Sequence, residues 1–215
     1  MPLLRSKRPK PVWIFDLDDT LHHATPAIFP HINKTMTAYL VKHLQISEAE
    51  ANQLRVQYWH KYGATLNGMM RHHQTDPHHF LRETHLVHVL APLAKAQPGL
   101  HALLRQLPGR KFIFTNGPQH YARALLRAMK IDAYFEAIIS IETMRFYPKP
   151  QRPGYLHLFK RHRLNPRQCV MVDDSHDNIH TARRLGMRGI WLGKQHRPNS
   201  TLPRIKSLQQ LRRLK

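Results

Sequence analysis

The few acidic residues of this chain are clustered where carboxylate chemistry would need them. Of 13 Asp and Glu residues, six fall in two short runs: Asp16, Asp18 and Asp19 in FDLDDT, and Asp173, Asp174 and Asp177 in VDDSHDN. Both runs end apolar segments. Across Asp16-Leu17-Asp18, an extended or tightly turning backbone lets the two carboxylates face a common region while Leu17 points away. A hard cation there would take one oxygen from Asp16, one from the backbone carbonyl of Asp18 and one from Asp174. Taken alone, an acidic pair after a strand is more often an ordinary loop, but complementary groups accompany this one. Thr115 and Asn116 in FTNG offer a hydroxyl, an amide and backbone N–H groups, and Asn178 lies near the second acidic run. Lys149 in YPKPQRP sits between Pro148 and Pro150, which limit its backbone freedom. An ammonium above two acids can balance the charge of a phosphoryl group, so the chemistry these residues suit is phosphoryl transfer.

Such a set must be positioned by strand ends. VWIFDL (12–17) is a short apolar run of strand formers followed by a polar turn. From about Ala24 to Leu90 the pattern is helical: Ile28, Ile32, Met36, Tyr39, Leu40 and Leu44 recur at three- and four-residue spacing, and Ser47 with Glu50 forms a capping-box pattern opening a second helix through Trp59. No strand pattern interrupts this stretch. After APLAKAQPG, helix and strand alternate: LHALLRQL, then RKFIFTNG, PQHYARALLRAMK, AIISIE, PGYLHLFKRHR, QCVMVDDS, DNIHTARRLG and MRGIWLG. Alternation with short connections predicts an α/β fold, a three-layer Rossmann-like core with a parallel sheet and a small all-helical insert after the first strand. The crevice of such a sheet lies beyond the carboxyl ends of its strands, where Asp16, Thr115, Asp173 and Asp174 all fall.

Composition narrows the setting. The chain has 215 residues with 34 Lys or Arg, a formal +21 with its 18 His neutral, and 41% hydrophobic residues. This suits a soluble globular protein with one sizeable core, and no window is apolar enough for a membrane span. One cysteine, Cys169, excludes an intrachain disulfide framework, and MPLLRSKRPKP lacks the apolar stretch of a secretory signal, so a cytoplasmic location is expected. Eleven of the basic residues lie in residues 1–10 and 194–215, leaving 23 against all 13 acids between them. The basic termini could associate nonspecifically with nucleic acid or an anionic surface, whereas the central excess favours phosphorylated ligands but requires no polymer. The C-terminal PRIKSLQQLRRLK could form a basic amphipathic helix through Ile205, Leu208, Leu211 and Leu214, docked on the sheet. His85 and His88, three apart, could pair on one helical face as metal ligands; a packing or solvated role is favoured for the histidines, with Trp59, Phe80 and Leu86 forming an apolar interior.

The stretches FDLDDTL, FTNG, PKP around Lys149 and VDDSHDNIHTARRLG, in that order from residue 12 to about 192, resemble the four motifs of the haloacid dehalogenase-like hydrolases. The insert then resembles a first-position cap domain of residues 22–95, with the core in 11–21 and 96–193 and a basic C-terminal extension in 194–215. Within the insert, YGATLNGM (62–69) and, beyond it, DDSHDNI are similar to the pyrimidine 5′-nucleotidase-like branch. The resemblance implies that Asp16 is a nucleophile forming an aspartyl phosphate and that Asp18 is the acid and then base. An acid at this second position argues for a phosphatase over a dehalogenase. Thr115 with the Asn116 N–H would bind the phosphoryl group, Lys149 would neutralise nucleophile and phosphate, and Asp16, the Asp18 carbonyl and Asp174 would hold Mg2+. Asp173 would orient or bind through water, and Asp177 and Asn178 are secondary candidates.

The implied substrate is a small phosphorylated metabolite, a nucleoside 5′-monophosphate and in particular a pyrimidine one, with His22, His23, Tyr62, Asn67 and Arg71 as candidate contacts. Two alternatives remain: a sugar-phosphate or other small-metabolite phosphatase, and a non-catalytic module of the same fold that binds nucleic acid or protein.

Overall fold

The protein is represented by a computed structural model that describes residues 10–193 and 200–213. Its first strand, β1 (Val12–Phe15), leads into helices α1 (Ala24–Ala27), α2 (Phe29–Leu44), α3 (Glu48–Tyr62), α4 (Thr65–His73), α5 (Pro77–Thr84) and α6 (Val87–Leu90). Then follow α7 (Leu100–Gln106), β2 (Lys111–Phe114), α8 (Gln119–Ala128), β3 (Ala137–Ile139), α9 (Arg152–His162), β4 (Cys169–Asp173), α10 (His176–Arg184), β5 (Arg188–Leu192) and β6 (Arg204–Ile205). The six strands form one sheet in the order β3-β2-β1-β4-β5-β6, parallel throughout. This is the α/β architecture that the alternation predicts.

Strand periodicity explains the layers. Trp13 and Phe15 of β1 join a core with Leu103, Leu104, Tyr121 and Leu125, whereas Val12 and Ile14 join Tyr155, Leu158 and Ile179 on the opposite face. Both faces of β1 are buried, as a parallel sheet flanked by crossover helices requires. β1 lies between β2 and β4, so the chain order reverses beside it, and its carboxyl end opens onto a crevice.

The insert is helical as expected. Ser47 accepts from the Glu50 N–H while the Glu50 carboxylate accepts from the Ser47 N–H, completing the capping box, and α3 runs past Trp59 to Tyr62. YGATLNGM has a packing explanation of its own. Gly63 ends α3 at φ 81°, and Gly68 lets α4 approach Tyr58 so closely that a Cβ there would lie 2.1 Å from the ring. Gly68→Ala therefore forces the two helices apart, and we expect a loss of about 2–3 kcal/mol, read by chemical denaturation. A loss below about 0.5 kcal/mol would show that the crossing adapts freely.

The C-terminal segment departs from the amphipathic helix. Ile205 is in β6, paired with Leu192, and Leu208 and Leu211 belong to a 3-10 turn (Leu208–Arg213) with their side chains buried in the core. The spacing of three matches the period of a 3-10 helix, in which such positions eclipse. Docking on the core is thus correct and the helix type is not. Leu214 and the basic segments 1–9 and 194–199 lie outside the described residues, and with them much of the charge assigned to polyanion binding. Among the described residues, no helix is long and apolar enough to cross a membrane.

Candidate active site

β1, β2 and β4 end side by side, and the residues just past or at their ends form a charged cluster. Asp16 follows β1 and its N–H donates to the Val172 carbonyl, at 3.0 Å. Lys149, on the loop before α9, donates from Nζ to Asp16 Oδ1 at 2.6 Å and to Asp173 Oδ2 at 2.8 Å, and all three side chains are buried. Asn116 holds this loop in place: its Oδ1 accepts from the Lys149 N–H and its Nδ2 donates to the Lys149 carbonyl. Asp173 also accepts from Asn178 Nδ2 on both oxygens and from the Ser175 N–H, so its acceptor capacity is taken up within the protein. Buried Thr115 accepts the Gly117 N–H on its hydroxyl oxygen. Asp177 is exposed beside His176, at 3.5 Å.

One ammonium faces three carboxylates. Asp16, Asp173 and Asp174 each present an oxygen within 4.8 Å of one another. Burial pushes the Asp16 carboxyl well up, Lys149 opposing and the neighbouring acids adding to the rise. Burial and then Asp173 push Asp174 up to about 7. Burial works against the Lys149 ammonium, but Asp16 and Asp173 outweigh it and hold the group protonated. Crowded anions of this kind show raised values when their cation count is short, and a hard-oxygen donor set suits a divalent ion such as Mg2+.

Asp18 is held separately. Its Oδ1 accepts from the Tyr121 hydroxyl at 2.5 Å and lies 3.0 Å from His22 Nε2. His22 Nδ1 is buried without a partner, which favours the tautomer carrying its hydrogen on Nε2, toward the carboxylate. Burial and then the Asp18 charge raise Tyr121, so it remains a donor. Nothing in the sequence marks Tyr121 as part of the site, and His22, a candidate substrate contact by sequence, instead faces Asp18. If Asp18 donates a proton to the leaving group, Tyr121→Phe should slow release from an alkyl phosphate at least about fivefold more than from p-nitrophenyl phosphate, whose leaving group needs little help. Equal losses on the two esters would contradict that dependence.

His85 takes the packing role favoured for the histidines and not that of a metal pair with His88. It caps the end of α5 while His88 belongs to α6, so the two do not share a helical face. Its Nδ1 lies 3.0 Å from the Thr84 hydroxyl and its ring packs edge-on against Tyr121. Burial, then His120, lowers it to about 4. With an ordinary value of 6.5, the unfolded chain binds the extra proton first, so this group removes stability as pH falls from 6.5 toward 4. We expect His85→Gln to lose about 3 kcal/mol less than the unaltered protein across that interval, measured by denaturant titration at both ends. Parallel pH profiles would exclude His85 as the source.

A cavity of about 900 Å³ opens over the cluster, walled on the helical side by α2 and α3. None of His22, His23, Tyr62, Asn67 and Arg71 is among its lining residues. Tyr62 lies 2.6 Å from His72 Nε2 through its hydroxyl, Asn67 donates to the Phe146 carbonyl, and Arg71 stacks over Tyr62. The lining instead includes Asn33, Arg55, Trp59 and His60. Trp59, expected in the apolar interior, is 57% exposed.

Residues 12–186 match the family described as haloacid dehalogenase-like hydrolase. Phosphoglycolate phosphatase 1 of Pseudomonas aeruginosa is 24% identical over 200 residues, covering 87% of this chain and 70% of that protein. A HAD phosphatase of Thermococcus onnurineus has a similar fold, with a TM-score of 0.68 at 22% identity over 96% of this chain and 97% of its own. A HAD hydrolase of Bacillus subtilis bound to magnesium gives 0.64 at 18% identity, over 96% and 99%.

Proposed function

The chain belongs to the haloacid dehalogenase-like hydrolases, and from that membership we propose that it is a Mg2+-dependent phosphomonoester hydrolase working through an aspartyl phosphate on Asp16. Asp16, Asp173 and Asp174 support phosphatase activity and a Mg2+-dependent mechanism. The observation that carries the reading is the Lys149 ammonium bridging Asp16 and Asp173, with Asp174 alongside, on the floor of the cavity.

In the proposed reaction, an Asp16 carboxylate oxygen attacks phosphorus as the bond to the leaving oxygen breaks, and Asp18 gives that oxygen its proton. Asp18, now a carboxylate, takes a proton from water; the water oxygen bonds to phosphorus and the Asp16–phosphorus bond breaks. Thr115 and the Asn116 N–H bind phosphoryl oxygens, and Lys149 offsets the charge of nucleophile and phosphate. Asp16, the Asp18 carbonyl and Asp174 would hold Mg2+, which when bound supplies Lewis-acid stabilisation of the phosphoryl charge. Asp173 orients Lys149, Asn178 orients Asp173, and Asp177 stands at the rim.

The proposed organisation has a core of 11–21 and 96–193 bearing the reacting groups, the described part of 194–215 joined to it through β6, and a cap of 22–95 roofing the cavity. For the substrate, the branch resemblance of residues 62–69 supports nucleoside 5′-monophosphates. The similarity to phosphoglycolate phosphatase supports a second reading, a small phosphorylated acid. A phosphate-release screen over nucleotides, sugar phosphates and phosphorylated acids, with Mg2+ or with a chelator, tests the function. Release that the chelator abolishes is expected, whereas no release from any ester would favour the non-catalytic module.

A further inference from the structure

The cavity wall contributed by α3 presents a cation with no counter-ion among the described residues. Arg55 lines the cavity, and its Nη1 donates to Asn33 Oδ1 on α2 at 2.9 Å. Its Nε is buried with no partner, and none of the ion pairs among the described residues involves it. Burial lowers its pKa with no carboxylate opposing the shift. A guanidinium partly removed from water and bonded only to a neutral amide has unused donors in a planar fork, the arrangement that suits a carboxylate or phosphate. Its backbone carbonyl accepts from the Thr65 hydroxyl, which ties the start of α4 to this point of α3.

Val56 and Trp59 are 40% and 57% exposed, although large apolar side chains normally find cover, and both line the same cavity. The roof over Asp16 therefore offers one cation beside an apolar surface, opposite a floor already equipped to take a phosphoryl group. We propose that Arg55, braced by Asn33, is an anion subsite for the leaving group, so that the substrate is a compact phosphomonoester carrying a carboxylate or a second phosphate. This rests on the phosphomonoesterase reading and names the substrate class within it.

The test compares kcat/KM for esters that share a two-carbon leaving group: 2-phosphoglycolate, ethylene glycol bisphosphate and the neutral 2-hydroxyethyl phosphate, with uridine 5′-monophosphate as a bulky uncharged-tail ester. The unaltered protein should prefer one of the first two to both others by at least about tenfold. Whichever of them wins identifies the second anion as carboxylate or phosphate. In Arg55→Gln the preference over 2-hydroxyethyl phosphate should fall at least about tenfold, mainly through KM, with Arg55→Lys intermediate. Equal rates on charged and neutral tails, a preference for the nucleotide, or variants that slow all four esters alike would overturn the subsite. Such results would leave the phosphomonoesterase reading intact, whereas a failure to hydrolyse any ester with Mg2+ would remove that reading instead.

Discussion

Asp16→Asn should lower Mg2+-dependent phosphate release by at least about a thousandfold, roughly 4 kcal/mol of barrier, while leaving a folded protein. The amide keeps the volume and planarity of the carboxylate but supplies no anionic oxygen to bond to phosphorus. The fold tolerates the change because Lys149 retains Asp173, at 2.8 Å, and the Asp16 backbone keeps its bond to Val172. Loss of one of three crowded carboxylates also relieves repulsion among those that remain. Phosphate release and a thermal melt on the same preparation read both halves of the expectation. Turnover within about tenfold of the unaltered protein would rule out Asp16 as the nucleophile.

Lys149→Met should be more damaging to the fold. Removing one partner from a buried ion pair typically costs about 3–5 kcal/mol, because the remaining charge has neither water nor counter-ion, and here two carboxylates lose the same ammonium. The pH dependence has a definite sign. In the unaltered protein Lys149 is held above its ordinary value, so its contribution is complete below about 10.5 and fades only as pH climbs through the raised folded value. In the variant, Asp16 loses the cation that opposed the effect of its burial, so the folded state takes up protons more readily than the unfolded chain. Stability should then recover as pH falls from about 8 toward 5, more steeply than in the unaltered protein, where Lys149 opposes the rise of Asp16 and limits that gain. Denaturant titrations across that range decide it. A variant equally stable at both ends, and close to the unaltered protein, would mean that Lys149 does not neutralise the cluster.

Much of this site was legible in the sequence for a simple reason: apolar strands with a polar residue at the end announce both an element and what it presents. FDLDDT, FTNG and VDDS each read that way, and β1, β2 and β4 adjoin in the sheet. The capping box at Ser47 and Glu50 is local and equally readable. What escaped was decided by tertiary placement. Tyr121 reaches Asp18 across 103 residues from an amphipathic helix whose sequence suits packing alone. Trp59 and Arg55 line a cavity, and a helix face turned toward a cavity carries the same pattern as one turned toward solvent or core. Large aromatics are usually buried, so the sequence points Trp59 to the interior. YGATLNGM stands out in the sequence as a branch resemblance, while its glycines serve a helix end and a helix crossing that only the packing reveals.

The proposed mechanism requires above all a phosphoryl group bonded to Asp16 during turnover. Mixing the protein with a 32P-labelled ester and Mg2+ and quenching in acid within the first turnover tests this bond directly. Label should remain on the protein, be released by hydroxylamine as an acyl phosphate is, map to the peptide containing Asp16 and be absent from Asp16→Asn. Release of phosphate with no protein-bound label at any time in the first turnover, or label persisting in Asp16→Asn, would contradict the covalent mechanism.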